Sequence, residues 1–203
     1  MGVNPKGWGP WAWRLLHAVC ARHDCKRLRN TDMLQQWIQF FLVVLMCSFC
    51  RESVGRFRRQ KGTRIKDIQP GSAYEWSYTL HNKVNDKLRS QGAVIPAVTL
   101  KSARRRVQDL NSRQGAHTFF MFSYFVLCNL SGSHRRTWIL HWIPASMKLF
   151  QHLGIQWAYD PGPAPKTLSQ LEAYTRLIER RIYARSKWKL PREQLDLCRK
   201  WIV

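Results

Sequence analysis

The chain is poor in negative charge: 12 Asp and Glu stand against 34 Lys and Arg in 203 residues, a net charge of +22. That imbalance favours nucleic acid, anionic surfaces or acidic proteins as partners and says nothing about fold. A basic tail does not cause it, because residues 1–90 hold 16 basic and 6 acidic side chains and the remainder 18 and 6. Long apolar runs are also missing. The best candidate, Trp37 to Cys50, has roughly 14 residues where a membrane span needs about 20, and Arg51 and Glu52 stop it. A buried helix is the better reading, with no membrane span. No secretory signal is visible, since the N-terminus reaches no apolar stretch before Trp8. Repeats and low-complexity tracts are absent too. A soluble chain with a packed core is expected, and 45% hydrophobic residues are enough to build one.

There are six cysteines: Cys20, Cys25, Cys47, Cys50, Cys128 and Cys198. An even number suits a disulfide framework only in an exported domain. A zinc finger needs a second ligand pair at short spacing, and none follows the close pair, so no metal is expected. Redox chemistry is the economical reading of Cys47-Ser-Phe-Cys50.

The pattern of apolar residues and breakers predicts helices throughout. Pro10 suits the first turn of a helix carrying Trp13, Leu16, His17 and Cys20, and the polar stretch from His23 to Asn30 ends it. Thr31 or Asp32 can cap a second helix running to about Met46, and a third starts near Cys47. Gln60 to Ser72 is a loop, and a fourth helix runs from about Ala73 to Arg89. Gln91 to Pro96 marks a boundary, and Val94–Leu100 suits a short extended segment. Further helices are expected near 101–113, 116–130, 135–153, 167–187 and 191–202. Ser131-Gly132-Ser133 and Asp160-Pro161-Gly162-Pro163 are turns between them.

A lone C-x-x-C fits two core cysteines or half a metal site as well as a redox pair. Here it follows a very apolar helix and can open the next, where a helix N-terminus stabilises the reactive thiolate. Trp13 and His17 lie one turn apart, and His81, Asn82, Asn85 and Leu88 share a narrow arc of the fourth helix, with Trp76 about one turn back. Taken singly, the tryptophans read as core aromatics and the histidines as structural residues. Paired asparagines inside a helix are poor formers and harder to dismiss. Two aromatic-plus-imidazole pairs on neighbouring helices would make a flat slot for an adenine or isoalloxazine ring. Lys87 and Asn85 add a cation and an amide for a pyrophosphate or ribose.

Three segments in this order, Trp8–His17 (WGPWAWRLLH), Cys47–Cys50 and Trp76–Leu88 (WSYTLHNKVNDKL), resemble the signature motifs of the Erv/ALR family of FAD-linked sulfhydryl oxidases. The resemblance covers about residues 5–92, and the form beginning Trp8-Gly9-Pro10 looks most like the compact members of large double-stranded DNA viruses. It implies an all-α fold: a four-helix-bundle flavin-binding core over 1–92, with 93–203 as a helical basic extension. Carried over, Cys47 is the outer thiol that exchanges with substrate and Cys50 the inner thiol against the flavin. Gly9, Trp13, His17, Trp76, His81, Asn82, Asn85 and Lys87 would hold FAD. The implied activity is oxidation of protein dithiols, or of a thioredoxin-like carrier, with electrons passed to molecular oxygen to give hydrogen peroxide. A homodimer is implied as well, and host cytoplasm or virion as the location.

Two departures stand out. Pro10 occupies a place where many members have a basic residue, and Ser77, Tyr78, Thr79 and Leu80 include no cysteine for the usual structural disulfide. For a shuttle disulfide, Cys20 and Cys25 are the closest-spaced candidates, although a structural bridge or two free thiols fit equally well. Cys128, in an apolar run, reads as a buried inert thiol, and Cys198 as exposed. In the second half, Arg104-Arg105-Arg106, His134-Arg135-Arg136 and the series Arg176, Arg180, Arg181, Arg185, Lys187 and Lys189 form basic clusters. They are either a solvated face or a site for nucleic acid or an acidic virion component. The rival functional reading is therefore a basic nucleic-acid-associated or structural virion protein on a degenerate oxidase scaffold.

Overall fold

A computed structural model describes residues 5–128, 133–156 and most of 163–180. It is all-helical, with no strand among the described residues. Among the described residues the bounded helices are α1 (Pro5–Cys25), α2 (Asp32–Val43), α3 (Ser48–Phe57), α4 (Ala73–Ser90), α5 (Leu100–Arg105), α6 (Arg113–Cys128) and α7 (Ser133–His152), with a 3-10 turn at Ile65–Asp67. The expected helix near 191–202 and most of the turns at 131–133 and 160–163 lie outside the described residues, and the helix expected over 167–187 is described only in part, up to residue 180.

The first four helices close a ring, each touching the next and α4 returning to α1. Their apolar faces meet through Leu15, Leu16, Val19, Leu34, Ile38, Val54, Trp76 and Leu80. Then α6 packs along α1 and α7 along α2. Trp37 sits at that second seam. It stacks on Phe41 at 5.2 Å, and its indole N–H donates to Ser146 Oγ at 2.8 Å. Phe41 meets Phe122 at 5.1 Å, and Phe122 meets Trp142 edge-on at 5.5 Å. The two halves of the sequence thus share one apolar core.

Several ends differ from expectation, each for a local reason. Helix α1 already starts by Pro5, so Pro10 lies in its second turn, and it continues through Asp24, whose carboxylate has a partner beyond the helix. Thr31 is the N-cap residue of α2 without a side-chain capping bond; instead Asn30 Oδ1 accepts from Asp32 N at 2.7 Å. Helix α2 stops at Val43, because Val44, Leu45 and Met46 turn inward to the core and the Arg51 guanidinium holds the Leu45 carbonyl.

The helix expected over 101–113 is only Leu100–Arg105, capped by Thr99. Beyond it Asn111 N donates to Asp109 Oδ1, the Ser112 hydroxyl to Asp109 O, and Gly115 N to Ser112 Oγ. Those local bonds compete with helix continuation and start α6 instead. Between α4 and α5, residues 93–99 run back along α4. Tyr78 donates its hydroxyl to Val98 O, and Arg89 Nε donates to Ile95 O.

Candidate active site

Cys47 and Cys50 are joined as a disulfide, with Cα atoms 5.1 Å apart. Cys47 is the N-cap of α3, and its sulfur accepts the Cys50 backbone N–H at 3.1 Å. A sulfur held there by an unpaired helix N–H, at the positive end of the helix dipole, is stabilised as the thiolate. The extended backbone of Cys47 and the apolar turn before it place the pair at the first turn of α3, as the sequence predicts.

Positions 50, 53, 54 and 57 form one face of α3, and α3 packs against α4. Ser53, one turn after Cys50, takes a hydrogen bond from Lys87 Nζ and donates its own hydroxyl to Phe49 O. Cys50 therefore lies on the side of α3 that meets the fourth-helix motif. Burial does not single out Cys47 as the exposed sulfur: it is 6% exposed, and Cys50 is intermediate. Phe49, between the two cysteines, is 72% exposed.

On the other side of α4, Trp13, His17 and His81 form one aromatic stack. Trp13 lies on His81 at 4.0 Å, nearly parallel, and His17 is 5.1 Å from His81. The hydrogen bonds fix the tautomers. The Ser77 hydroxyl donates to Tyr74 O at 2.7 Å, so its oxygen accepts from His17 Nδ1–H at 2.9 Å. His17 Nε2 is then an acceptor, and His81 Nδ1–H donates to it across 2.9 Å. Burial, reinforced by the neighbouring His81, pulls His17 from 6.5 down to about 3. Burial pulls His81 down to about 4. Both imidazoles are neutral at physiological pH.

The slot expected between two aromatic–imidazole pairs is not how these residues assemble. Trp13 and His81 face each other directly, while Trp76 is buried elsewhere on α4 with its indole N–H donating to Arg64 O at 3.0 Å. Asn82 and Asn85 are half-buried, and their side-chain amides make no hydrogen bond among the described residues. Gly9 has no atom within 4 Å of where a Cβ would stand, so open space lies beside it.

Residues 11–103 match the model of the Erv1 / Alr family. This segment is an Erv1/Alr unit. It contains both cysteines of the disulfide and every candidate cofactor residue except Gly9, and it ends inside α5. The mitochondrial FAD-linked sulfhydryl oxidase ERV1 of Saccharomyces cerevisiae is 26% identical over 82 residues, 40% of this chain and 42% of that protein. The chain thus matches less than half of that relative's length. No solved structure matches.

Within the Erv1/Alr unit Cys20 and Cys25 are separate free thiols. Cys20 is wholly buried beside Ser77, and burial pushes its thiol pKa well up. Cys25 is exposed at the end of α1. The side chain of Cys128, all of Cys198 and the basic positions 181–189 lie outside the described residues. Sequence reasoning missed Ser77, which fixes the histidine tautomers, and Ser53, which ties α3 to Lys87. It also missed Asp24, whose two carboxylate oxygens accept from the first backbone N–H groups of α4, Ala73 at 3.0 Å and Tyr74 at 2.9 Å. Only the position of Ser77 within the motif and of Ser53 one turn after Cys50 hinted at roles.

Proposed function

We propose that the chain is an FAD-linked thiol oxidase that turns protein dithiols into disulfides and delivers the two electrons to oxygen, giving hydrogen peroxide. One observation carries the reading. A disulfide caps the N-terminus of α3, and α3 packs on α4, the motif helix, where Lys87 reaches Ser53 one turn after Cys50. The residues present fit a planar, phosphate-bearing redox cofactor. A nearly parallel Trp13–His81 stack offers an aromatic face, two half-buried amides lack internal partners, and Lys87 supplies a cation. When bound, FAD would supply the two-electron acceptor and the route to oxygen.

The chain's own residues do the rest. A substrate thiolate attacks one sulfur of the Cys47–Cys50 bond to form a mixed disulfide. The second substrate thiolate displaces the enzyme sulfur, leaving substrate oxidised and both enzyme cysteines reduced. We assign the exchange to Cys47 and the inner position to Cys50, on the packing of the Cys50 face towards α4. The N-terminus of α3 and the Cys50 N–H stabilise the Cys47 thiolate that leaves. Neutral His17 and His81 provide a flat, uncharged platform whose orientation Ser77 fixes. Lys87 and the two asparagines would hold the polar part of the cofactor.

The test is the visible spectrum of the purified protein, followed by oxygen consumption with dithiothreitol for wild type and Cys50→Ser. A band near about 450 nm and turnover lost in the variant support the assignment. A colourless protein that stays inactive when supplied with FAD would refute it.

A further inference from the structure

The exposed side of α3 carries a feature that disulfide chemistry alone does not require. Residues 49, 52 and 56 recur at helical spacing on one face of α3, Arg59 follows in the turn after it, and Phe49, Glu52, Arg56 and Arg59 are all exposed. The stripe begins with an aromatic ring beside the disulfide and ends in arginines. Around it, residues 51–67 hold seven Lys and Arg against Glu52 and Asp67. Asp67 is taken by Arg64 at 2.9 Å, and Glu52 lies 3.9 Å from Arg56. Arg58, Arg59, Lys61 and Lys66 are exposed with no carboxylate in ion-pair reach among the described residues. This is concentrated, uncompensated positive charge at the end of the helix that the disulfide opens.

Resting on the thiol-oxidase reading, we propose that this face docks an acidic segment of the polypeptide whose dithiol is oxidised. Phe49 contacts apolar side chains next to the substrate cysteines, and the basic residues hold carboxylates further along. The geometry suits one extended chain. From Cys50 to Phe57, where α3 ends, is about 10 Å along the axis at 1.5 Å per residue, which roughly three extended residues span, and the basic residues 58–61 follow directly. Asp or Glu about three to five positions from the substrate cysteine therefore reach Arg56, Arg58, Arg59 and Lys61. Polypeptide is favoured over nucleic acid because an exposed aromatic and the disulfide itself sit at the head of the stripe. Charge of this kind acts mostly on encounter and selectivity, and salt weakens it.

The experiment uses full-length protein and three peptides that share one Cys-x-x-Cys pair, flanked by acidic, neutral or basic residues. Dithiothreitol, which is uncharged, serves as the internal reference, and Arg58→Glu/Arg59→Glu/Lys61→Glu is the variant. The acidic peptide should have the lowest KM, and that advantage should shrink as salt rises. The triple variant should raise its KM on the order of tenfold, the size expected for several surface charge pairs, with dithiothreitol turnover unchanged. Equal KM values for all three peptides, with dithiothreitol still oxidised, would overturn the docking proposal alone. So would a variant that loses only retention of a DNA duplex, which would assign the face to nucleic acid. No turnover of any dithiol by protein supplied with FAD would instead sink the oxidase reading beneath it.

Discussion

The His17–His81 pair should make the fold weaken as pH falls below neutrality. Both groups have folded-state pKa values below the ordinary 6.5, at about 3 and about 4. The unfolded chain therefore binds protons between these values and about 6.5 that the folded chain refuses. The pair's contribution is fully present above about pH 6.5 and is lost progressively as pH drops towards 4 and 3. At pH 5 either histidine alone accounts for about 2 kcal/mol of lost stability relative to neutral pH, from 1.36 kcal/mol per unit over 1.5 units. The two losses do not simply add, because the imidazoles share a hydrogen bond. The cause is geometric as well as dielectric: a proton on His17 Nε2 would point at the N–H of His81, leaving two donors face to face. Denaturant unfolding at pH 7.5 and pH 5 measures the loss, and imidazole NMR shifts report the protonation states directly. His81→Gln should flatten the pH dependence. Equal stability at both pH values, or imidazoles of His17 and His81 that titrate near 6.5, would refute the neutral, tautomer-locked pair.

Three further perturbations test the framework around the site. Asp24→Ala removes the carboxylate that accepts from Ala73 N and Tyr74 N, and should cost about 1–3 kcal/mol by thermal or denaturant unfolding. Gly115→Ala places a Cβ 2.5 Å from Asp109 O and 2.6 Å from Leu110 Cα, both backbone atoms that cannot swing aside, and should cost about 1–3 kcal/mol in the same assay. Ending the chain after residue 106 strips α6 and α7 from α1 and α2 and exposes Trp37 and Phe41. Light scattering should then find self-association or aggregation, and a well-folded soluble monomer would show that the first four helices need no cover.

The order of helices was legible because it depends on periodicity and breakers, which are local. Ends were less so. Nothing in the apolar run from Trp37 to Met46 marks the break after Val43, since the residues that leave the helix are as apolar as those within it. The break depends on the core accepting Val44, Leu45 and Met46 and on Arg51 reaching back to Leu45 O. At 106–112 the signals were present in Asp109, Asn111 and Ser112, whose local bonds end the helix well before residue 113. The shared core of the two halves was the least legible feature. It depends on which apolar faces meet, and Trp37 pairing with Ser146 across 109 positions leaves no trace in spacing.

The site shows the same division between residue identity and arrangement. Motif spacing correctly places His81, Asn82, Asn85 and Lys87 on one helix and the two cysteines at the start of another, because helix geometry fixes what shares a face. It does not fix which ring meets which across helices. Two tryptophans at similar distances from histidines suggest two equivalent pairs, yet only Trp13 joins the imidazole stack, and Trp76 is drawn to the carbonyl of Arg64. The decision falls to Ser77. Its hydroxyl is committed to Tyr74 O, which orients His17, which in turn orients His81 and leaves the face of His81 open to Trp13.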